Sequence, residues 1–293
     1  MIRDKLKKFR RILRFYLIKY LVSGFALLPT SKIPKLKKLL MKAAFLFGKK
    51  EIEKARCLLP EEFADNKEKI INSMIENTAM TLLEIIFYDK ISKEKPDFCK
   101  FENWEIIENI LKNGQVPLIL TGHFCNWEVL GYELVKKGLD INVIARPNNL
   151  NQMTEFINSF REKHGMKVIM QNNIFEAVKL LKQGKTTAIL ADLNARENGY
   201  QVEFFKRNAS FYSAPVIISA RSKMPLVPIF AERQSDGTFL MNVQQPIQWS
   251  KDSTMRDKVQ QIAGVYEAEY RKRPDLWCWY HDRYTYAELG KKK

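Results

Sequence analysis

Thr121-Gly122-His123-Phe124-Cys125-Asn126-Trp127-Glu128, preceded by the apolar run Val116-Pro117-Leu118-Ile119-Leu120, is the stretch on which the reading of this chain turns. A short apolar run closing on a glycine reads as a strand, and the histidine beyond it as a group delivered to the strand's carboxyl end. His123 and Glu128 are five positions apart, whereas facing pairs on one helix lie three or four apart. They meet only if the chain turns between them, with His123 in the turn, Asn126 near an N-cap and Glu128 in the first helical turn. In open α/β folds such a turn faces the crevice at the carboxyl ends of the strands, where ligands bind. Histidine is the commonest general base, so the pair is a candidate base with its orienting acid. Stripped of chemistry, the same residues are a histidine and an acid beside a turn.

Outward from this stretch the pattern repeats. Short apolar runs at Leu118–Thr121, Ile141–Ala145, Lys167–Met170, Thr187–Ala191, Leu226–Ala231 and Phe239–Val243 read as strands. Amphipathic stretches near 127–137, 150–163, 174–182, 213–222 and 254–272 read as helices between and after them. This alternation predicts an α/β fold with a mostly parallel central sheet flanked by helices. Residues 51–110 read as helical, with Lys93-Glu94-Lys95-Pro96-Asp97 as a loop before the core. The chain therefore divides into residues 1–50, a helical region at 51–110 and an α/β domain at 111–293.

The charge is unevenly spread. The chain has 293 residues and a net charge of +16, and residues 1–50 hold 15 Lys or Arg against one acid, Asp4. A basic segment of this kind suits nucleic acid or an anionic membrane. Apolar runs at Phe15–Ile18 and Tyr20–Leu28 favour the membrane, since a solvated nucleic-acid arm has no use for them. Ile12 to Leu28 is 17 residues, about 25 Å as a helix, short of a hydrocarbon core of roughly 30 Å. The segment spans with thinning or lies in the interface. Beyond Pro34, Leu36, Leu39, Leu40, Ala43 and Phe47 recur at helical spacing among lysines, as in a helix lying on anionic headgroups. The basic flank keeps the N-terminus cytoplasmic if the segment inserts. No small-residue cleavage site follows the apolar run, so a signal peptide is not expected.

Cysteines 57, 99, 125 and 278 show no C-x-x-C pairing, which fits a reducing compartment. Cys125 competes with His123 as a nucleophile only if a partner activates it, and none is visible. Other strand ends carry usable side chains: Ile141–Ala145 runs into Arg146-Pro147 and Thr187–Ala191 into Asp192. Arg161 closes the helix after Arg146, where it also suits a helix C-terminus, and Asp192 equally reads as a turn residue. The chain has no G-x-S-x-G, no P-loop and no G-x-G-x-x-G. Its three histidines lack the spacing of a zinc site. No cofactor or metal is expected.

These residues together resemble the bacterial lipid A biosynthesis acyltransferases, also called lauroyl/myristoyl acyltransferases, relatives of the glycerolipid acyltransferases with an H-x-x-x-x-[DE] motif. The first block of that family is similar to Gly122-His123-Phe124-Cys125-Asn126-Trp127-Glu128. A second is matched by Arg146-Pro147-Asn148-Asn149 with Phe160-Arg161. A third is matched by Leu190-Ala191-Asp192, Gly199 and Val202-Glu203-Phe204-Phe205. The Ala214-Pro215 helix, the Pro225–Pro228 strand and Arg273-Pro274-Asp275-Leu276-Trp277 also fit, carrying the resemblance from the N-terminal segment to about residue 284. Cys125 and Lys206 stand where a glycine is usual, and Leu193 follows Asp192 where polar residues are common.

The resemblance implies transfer of a fatty acyl chain from an acyl carrier protein thioester to a hydroxyl or hydroxyacyl group of a lipid A precursor, by direct attack. It places the enzyme at the cytoplasmic face of the inner membrane, anchored by residues 1–50. His123 would be the general base and Glu128 would hold its imidazole. Arg146 and Arg161 suit phosphates of the acceptor, and Asn126 and Asp192 are placed with the substrate-binding residues. Two other readings stay open: a mannoside lipid, ornithine lipid or lysophospholipid as acceptor, or a non-catalytic membrane-binding scaffold.

Overall fold

The structure is a computed structural model that describes residues 2–145, 150–170 and 173–284. The first four helices are α1 (Ile2–Leu27), α2 (Ile33–Phe47), α3 (Lys49–Leu58) and α4 (Lys67–Glu94). The α/β part then runs β1 (Cys99–Glu102), α5 (Glu105–Lys112), β2 (Leu118–Thr121), α6 (Trp127–Lys136), β3 (Ile141–Ala145), α7 (Asn151–Lys163) and β4 (Lys167–Met170). It continues with α8 (Ile174–Lys182), β5 (Thr186–Leu190), a hairpin of β6 (Tyr200–Phe204) and β7 (Arg207–Phe211), α9 (Ala214–Ser222), β8 (Leu226–Arg233), β9 (Phe239–Val243) and α10 (Met255–Lys272).

Seven strands form the central sheet in the order β1-β9-β8-β2-β5-β3-β4. Only β8 and β9 pair antiparallel, so the expected mostly parallel sheet between helices is what the sequence forms. β2 lies inside the sheet between β5 and β8, and all four of its residues are buried. A strand covered on both faces must be apolar throughout, which is why Leu-Ile-Leu-Thr is a run rather than an alternation.

Two features depart from the sequence reading. Residues 51–110 supply an edge strand, β1, which pairs parallel with β9. The β6–β7 hairpin, absent from the expected strands, turns through Phe205 and Lys206, whose φ values are 51° and 59°. Positive φ at both central residues is the pattern of a type I′ turn, normally the place of Asn-Gly. Lys206 thus occupies a left-handed position where the resembled family usually has glycine. Cys125 does too, at φ 51°.

The N-terminal helices are joined through a bend of 119°. Lys90 of α4 donates to the carbonyls of Ala26 and Leu28, at 2.7 and 2.6 Å, and so caps the end of α1. The apolar face expected on α2 divides. Leu36 is buried in a small core with Leu83 and Phe87 of α4, while Leu39 and Phe47 are exposed. Among the described residues, one helical stretch, Glu61–Glu94, is by length and apolar composition long enough to cross a membrane, and Phe9–Leu27 with Thr30–Phe47 passes only as a bent pair. It contains α4, whose Ile71, Met74, Ile75 and Leu83 are buried inside the protein.

Candidate active site

Register builds the site. β2 and β5 are parallel neighbours with Leu118 opposite Thr187 and Thr121 opposite Leu190. Carried two residues past the paired ends, this register sets His123 level with Asp192. His123 Nδ1 lies 2.8 Å from Asp192 Oδ1, and the His123 backbone N–H donates to Asp192 Oδ2 at 2.8 Å. Gly122 is required for this approach, because a Cβ there would stand 2.2 Å from the Tyr270 hydroxyl and 3.1 Å from Asp192.

Asp192 is 1% exposed, and its Oδ2 also accepts from the Tyr270 hydroxyl and from Trp277 Nε1, both at 2.9 Å. Burial alone would raise its pKa. The charge of His123 and the hydrogen bonds from His123 and Trp277 outweigh that and hold the carboxyl well below the usual carboxylate range. Tyr266, one turn before Tyr270 on the same face of α10, donates to the Thr121 carbonyl and accepts from Ala191 N–H. One helix thereby clamps the carboxyl ends of β2 and β5 together.

Glu128 is placed differently from the expectation. It sits in the first turn of α6, as foreseen, but no hydrogen bond joins it to His123. Its carboxylate accepts from Arg161 Nε at 3.0 Å and Nη2 at 2.5 Å, and from Trp127 Nε1 at 3.2 Å. Asp192 holds the imidazole position that the spacing had given to Glu128. The reason is geometric: the parallel register levels two strand ends, whereas Glu128 belongs to the helix that packs near α7. For Arg161, burial opposes the cation, but the hydrogen bonds and charge of Glu128 raise its pKa above the ordinary value. Its fork is occupied by Glu128 rather than open to a phosphate.

Asn126 also has another task. It is fully buried. Its Oδ1 accepts from Val129 N–H and so caps α6, while its Nδ2 donates to the Thr81 carbonyl and to Glu84. Glu84 in turn binds Arg233 of β8 through two 2.6 Å bonds. Asn126 thus ties the motif to α4, and it is not among the residues that line the cleft beside His123. Arg146 lies outside the described residues. Cys125 is 3% exposed and burial pushes its thiol up to about 12, so it stays protonated and is no nucleophile.

His123, Glu128 and Arg161 line one cleft of about 1070 Å³ along the carboxyl ends of β2, β3 and β5, with Asp192 buried behind His123. His123, Trp127, Glu128, Arg161 and His281 are among its polar lining, and Leu130, Leu134, Val143, Ile144 and Met166 are among its apolar walls. The His281 ring stands 5.5 Å from that of His123, and its pKa is pushed down to about 4, by burial first and then by the like charge of His123. Sequence reasoning missed Tyr270, Trp277 and His281. The i, i+4 tyrosines of α10 carried only the signal of an ordinary core face, and Trp277 stood in a block of the resembled family without an assigned task. Among the described residues no group of three His, Cys, Asp or Glu gathers as a metal site.

A paired histidine and acid at adjacent parallel strand ends, beside a cleft with apolar walls, make a candidate general-base site of a kind that suits transfer to a hydroxyl. Residues 3–285 match the family described as bacterial lipid A biosynthesis acyltransferase. The chain belongs to that family and is an acyltransferase. None of the curated proteins compared with it matches.

Proposed function

We propose that the protein moves a fatty acyl chain from an acyl carrier protein thioester to a hydroxyl or hydroxyacyl group of a lipid A precursor at the cytoplasmic face of the inner membrane. The observation that carries this reading is the His123–Asp192 pair opening on a cleft with apolar walls. An ionised carboxylate only accepts, so Nδ1 of His123 bears the proton and Nε2 keeps its lone pair. Nε2 takes the proton of the acceptor hydroxyl as that oxygen attacks the thioester carbonyl. A C–O bond forms, the tetrahedral centre collapses, the C–S bond breaks, and the imidazolium returns its proton to the departing sulfur. Asp192 stabilises the imidazolium while it exists. The apolar walls receive the acyl chain, and Glu128 with Arg161 fixes the wall that carries Trp127.

Residues 1–50 hold the enzyme to the bilayer in this reading. Residues 51–110 cover the sheet and add its edge strand, and residues 111–293 carry the chemistry. Twelve of the sixteen exposed large apolar side chains among the described residues lie between Phe9 and Phe47, on the same segment that holds most of the net positive charge. Both features favour an anionic interface. Phe15 on the inner side of α1 packs on Phe156 of α7, 6.1 Å between ring centroids, so the proposed anchor adjoins the helix that bears Arg161.

The test is acyl transfer by the purified full chain from labelled acyl carrier protein to four acceptors: a lipid A precursor, a mannoside lipid, an ornithine lipid and a lysophospholipid. Label is expected on the lipid A precursor. Label on another acceptor alone overturns the acceptor assignment, and vesicle binding without turnover on any of them supports a scaffold.

A further inference from the structure

Beside the cleft lies a second cavity of about 360 Å³, whose lining includes Arg196, Glu197, Asn208, Ser210 and Arg283. Asn194, Arg196 and Asp282 line both spaces, so the two are neighbours. Arg283 is the anomaly here. It is 1% exposed, yet its Nε, Nη1 and Nη2 have no hydrogen-bond partner among the described residues. Its guanidinium carbon lies 3.3 Å from the centroid of the Phe211 ring and 5.5 Å from that of Phe204. Aromatic faces attract a cation but offset only part of the cost of burying one. Burial lowers its pKa to about 10, which leaves it charged at neutral pH. A buried cation with five idle donors calls for acceptors, and an oxyanion supplies both the acceptors and the opposite charge.

The site offers no substitute among the described residues of the Arg161 wall, because Arg161 is spent on Glu128. We propose that the cavity around Arg283 and Arg196 is the subsite for the phosphate of a phosphorylated sugar on the acceptor lipid. A guanidinium fork matches two phosphate oxygens at once. Asn208 on the same lining adds an amide, Ser210 donates to the Arg196 carbonyl and so fixes the backbone there, and Glu197 adds an acceptor for a sugar hydroxyl. The mixed lining suits a sugar phosphate better than a bare anion. Its place fits the chemistry as well, since Asp282 follows His281, whose ring faces His123 across the cleft.

This assignment rests on the acyl-transfer reading, and its test separates the two. Transfer is measured for the full chain, Arg196→Gln and Arg283→Gln, with a phosphorylated lipid A precursor and with its dephosphorylated counterpart. The kcat/KM ratio for phosphorylated over dephosphorylated acceptor is expected to fall about 10- to 100-fold in each variant, the loss that follows a missing charged hydrogen bond. An unchanged ratio in Arg196→Gln overturns the proposal, even if Arg283→Gln fails to fold. A rise confined to the KM of the thioester places the anion on the donor's prosthetic phosphodiester and also overturns it. If the wild type transfers nothing, the acyl-transfer reading is at fault. Binding of the phosphorylated lipid in micelles to wild type and Arg196→Gln, followed by tryptophan fluorescence, then decides the subsite alone: weaker binding by Arg196→Gln upholds it and equal binding overturns it.

Discussion

Two acidic side chains serve the same cleft, Glu128 in its lining and Asp192 behind His123, and they do different things. Asp192 is sealed in, takes four hydrogen bonds and holds a histidine. Glu128 stands at the start of α6 and is gripped by an arginine and an indole. The acid nearer to His123 in sequence is not the one on its ring. Sequence spacing of five suggests a pair, but the register between two parallel strands decides which acid reaches the imidazole. Adjacent strand ends lie within hydrogen-bonding reach however far apart they are in the chain.

The comparison breaks most sharply in catalysis. Replacing His123 with Ala removes the base and is expected to slow transfer about 10²–10⁴-fold. Asp192→Asn should slow it comparably, because an amide favours the wrong tautomer of the imidazole. Steady-state rates on folded variants check both, and near-wild-type turnover by either refutes the assignment of that residue.

The Glu128 side is expected to show itself in stability. Removing one partner of a largely buried pair strands the other charge, so Glu128→Gln or Arg161→Gln should each cost about 3 kcal/mol. The double variant should cost less than the sum of the two. Urea denaturation measures this, and additive losses would mean that the pair is not coupled.

A smaller effect concerns His281. Its folded pKa of about 4 lies below the unfolded value of about 6.5. Between those values the unfolded chain binds the extra proton, so stability falls as pH drops through that window, by at most about 3 kcal/mol. The Asp192 contribution has a different window: it is fully present above the ordinary carboxylate pKa and is lost only in stronger acid. The difference between wild type and His281→Gln, followed by urea unfolding from pH 7 to 4, should therefore narrow as the acid increases. A constant difference contradicts it. Smallest of all, Lys206→Gly should stabilise the hairpin by about 1 kcal/mol, since its left-handed φ strains any residue with a Cβ. Thermal unfolding reads this change, and transfer should be unaffected because the turn lies outside the cleft.

Much of the sheet was legible because buried parallel strands are continuous apolar runs between amphipathic helices. The elements that escaped are those without that signal. Cys99-Lys100-Phe101-Glu102 is a four-residue edge strand that alternates, and the β6–β7 hairpin turns on Phe205-Lys206 where turn chemistry calls for Asn-Gly. Within the site, His123 was legible as a strand-end histidine, and Asp192 as a strand-end acid without a settled task. Their partnership was not, since register depends on the packing of two strands distant in sequence. Asn126 was legible as a helix cap, but its bonds to Thr81 and Glu84 reach across the fold. Tyr270 and Trp277 carried no separate signal because, apart from one polar atom each, they are core.

The most direct test is a double-mutant cycle on transfer rate that pairs His123→Ala with Asp192→Asn and, separately, with Glu128→Gln. If Asp192 acts through the imidazole, adding Asp192→Asn to His123→Ala slows the enzyme little further, whereas any change that Glu128→Gln makes to the rate is the same factor with His123 present or replaced. The reverse pattern, with Asp192→Asn additive and Glu128→Gln slowing only the enzyme that keeps His123, would contradict the account and return the imidazole to Glu128.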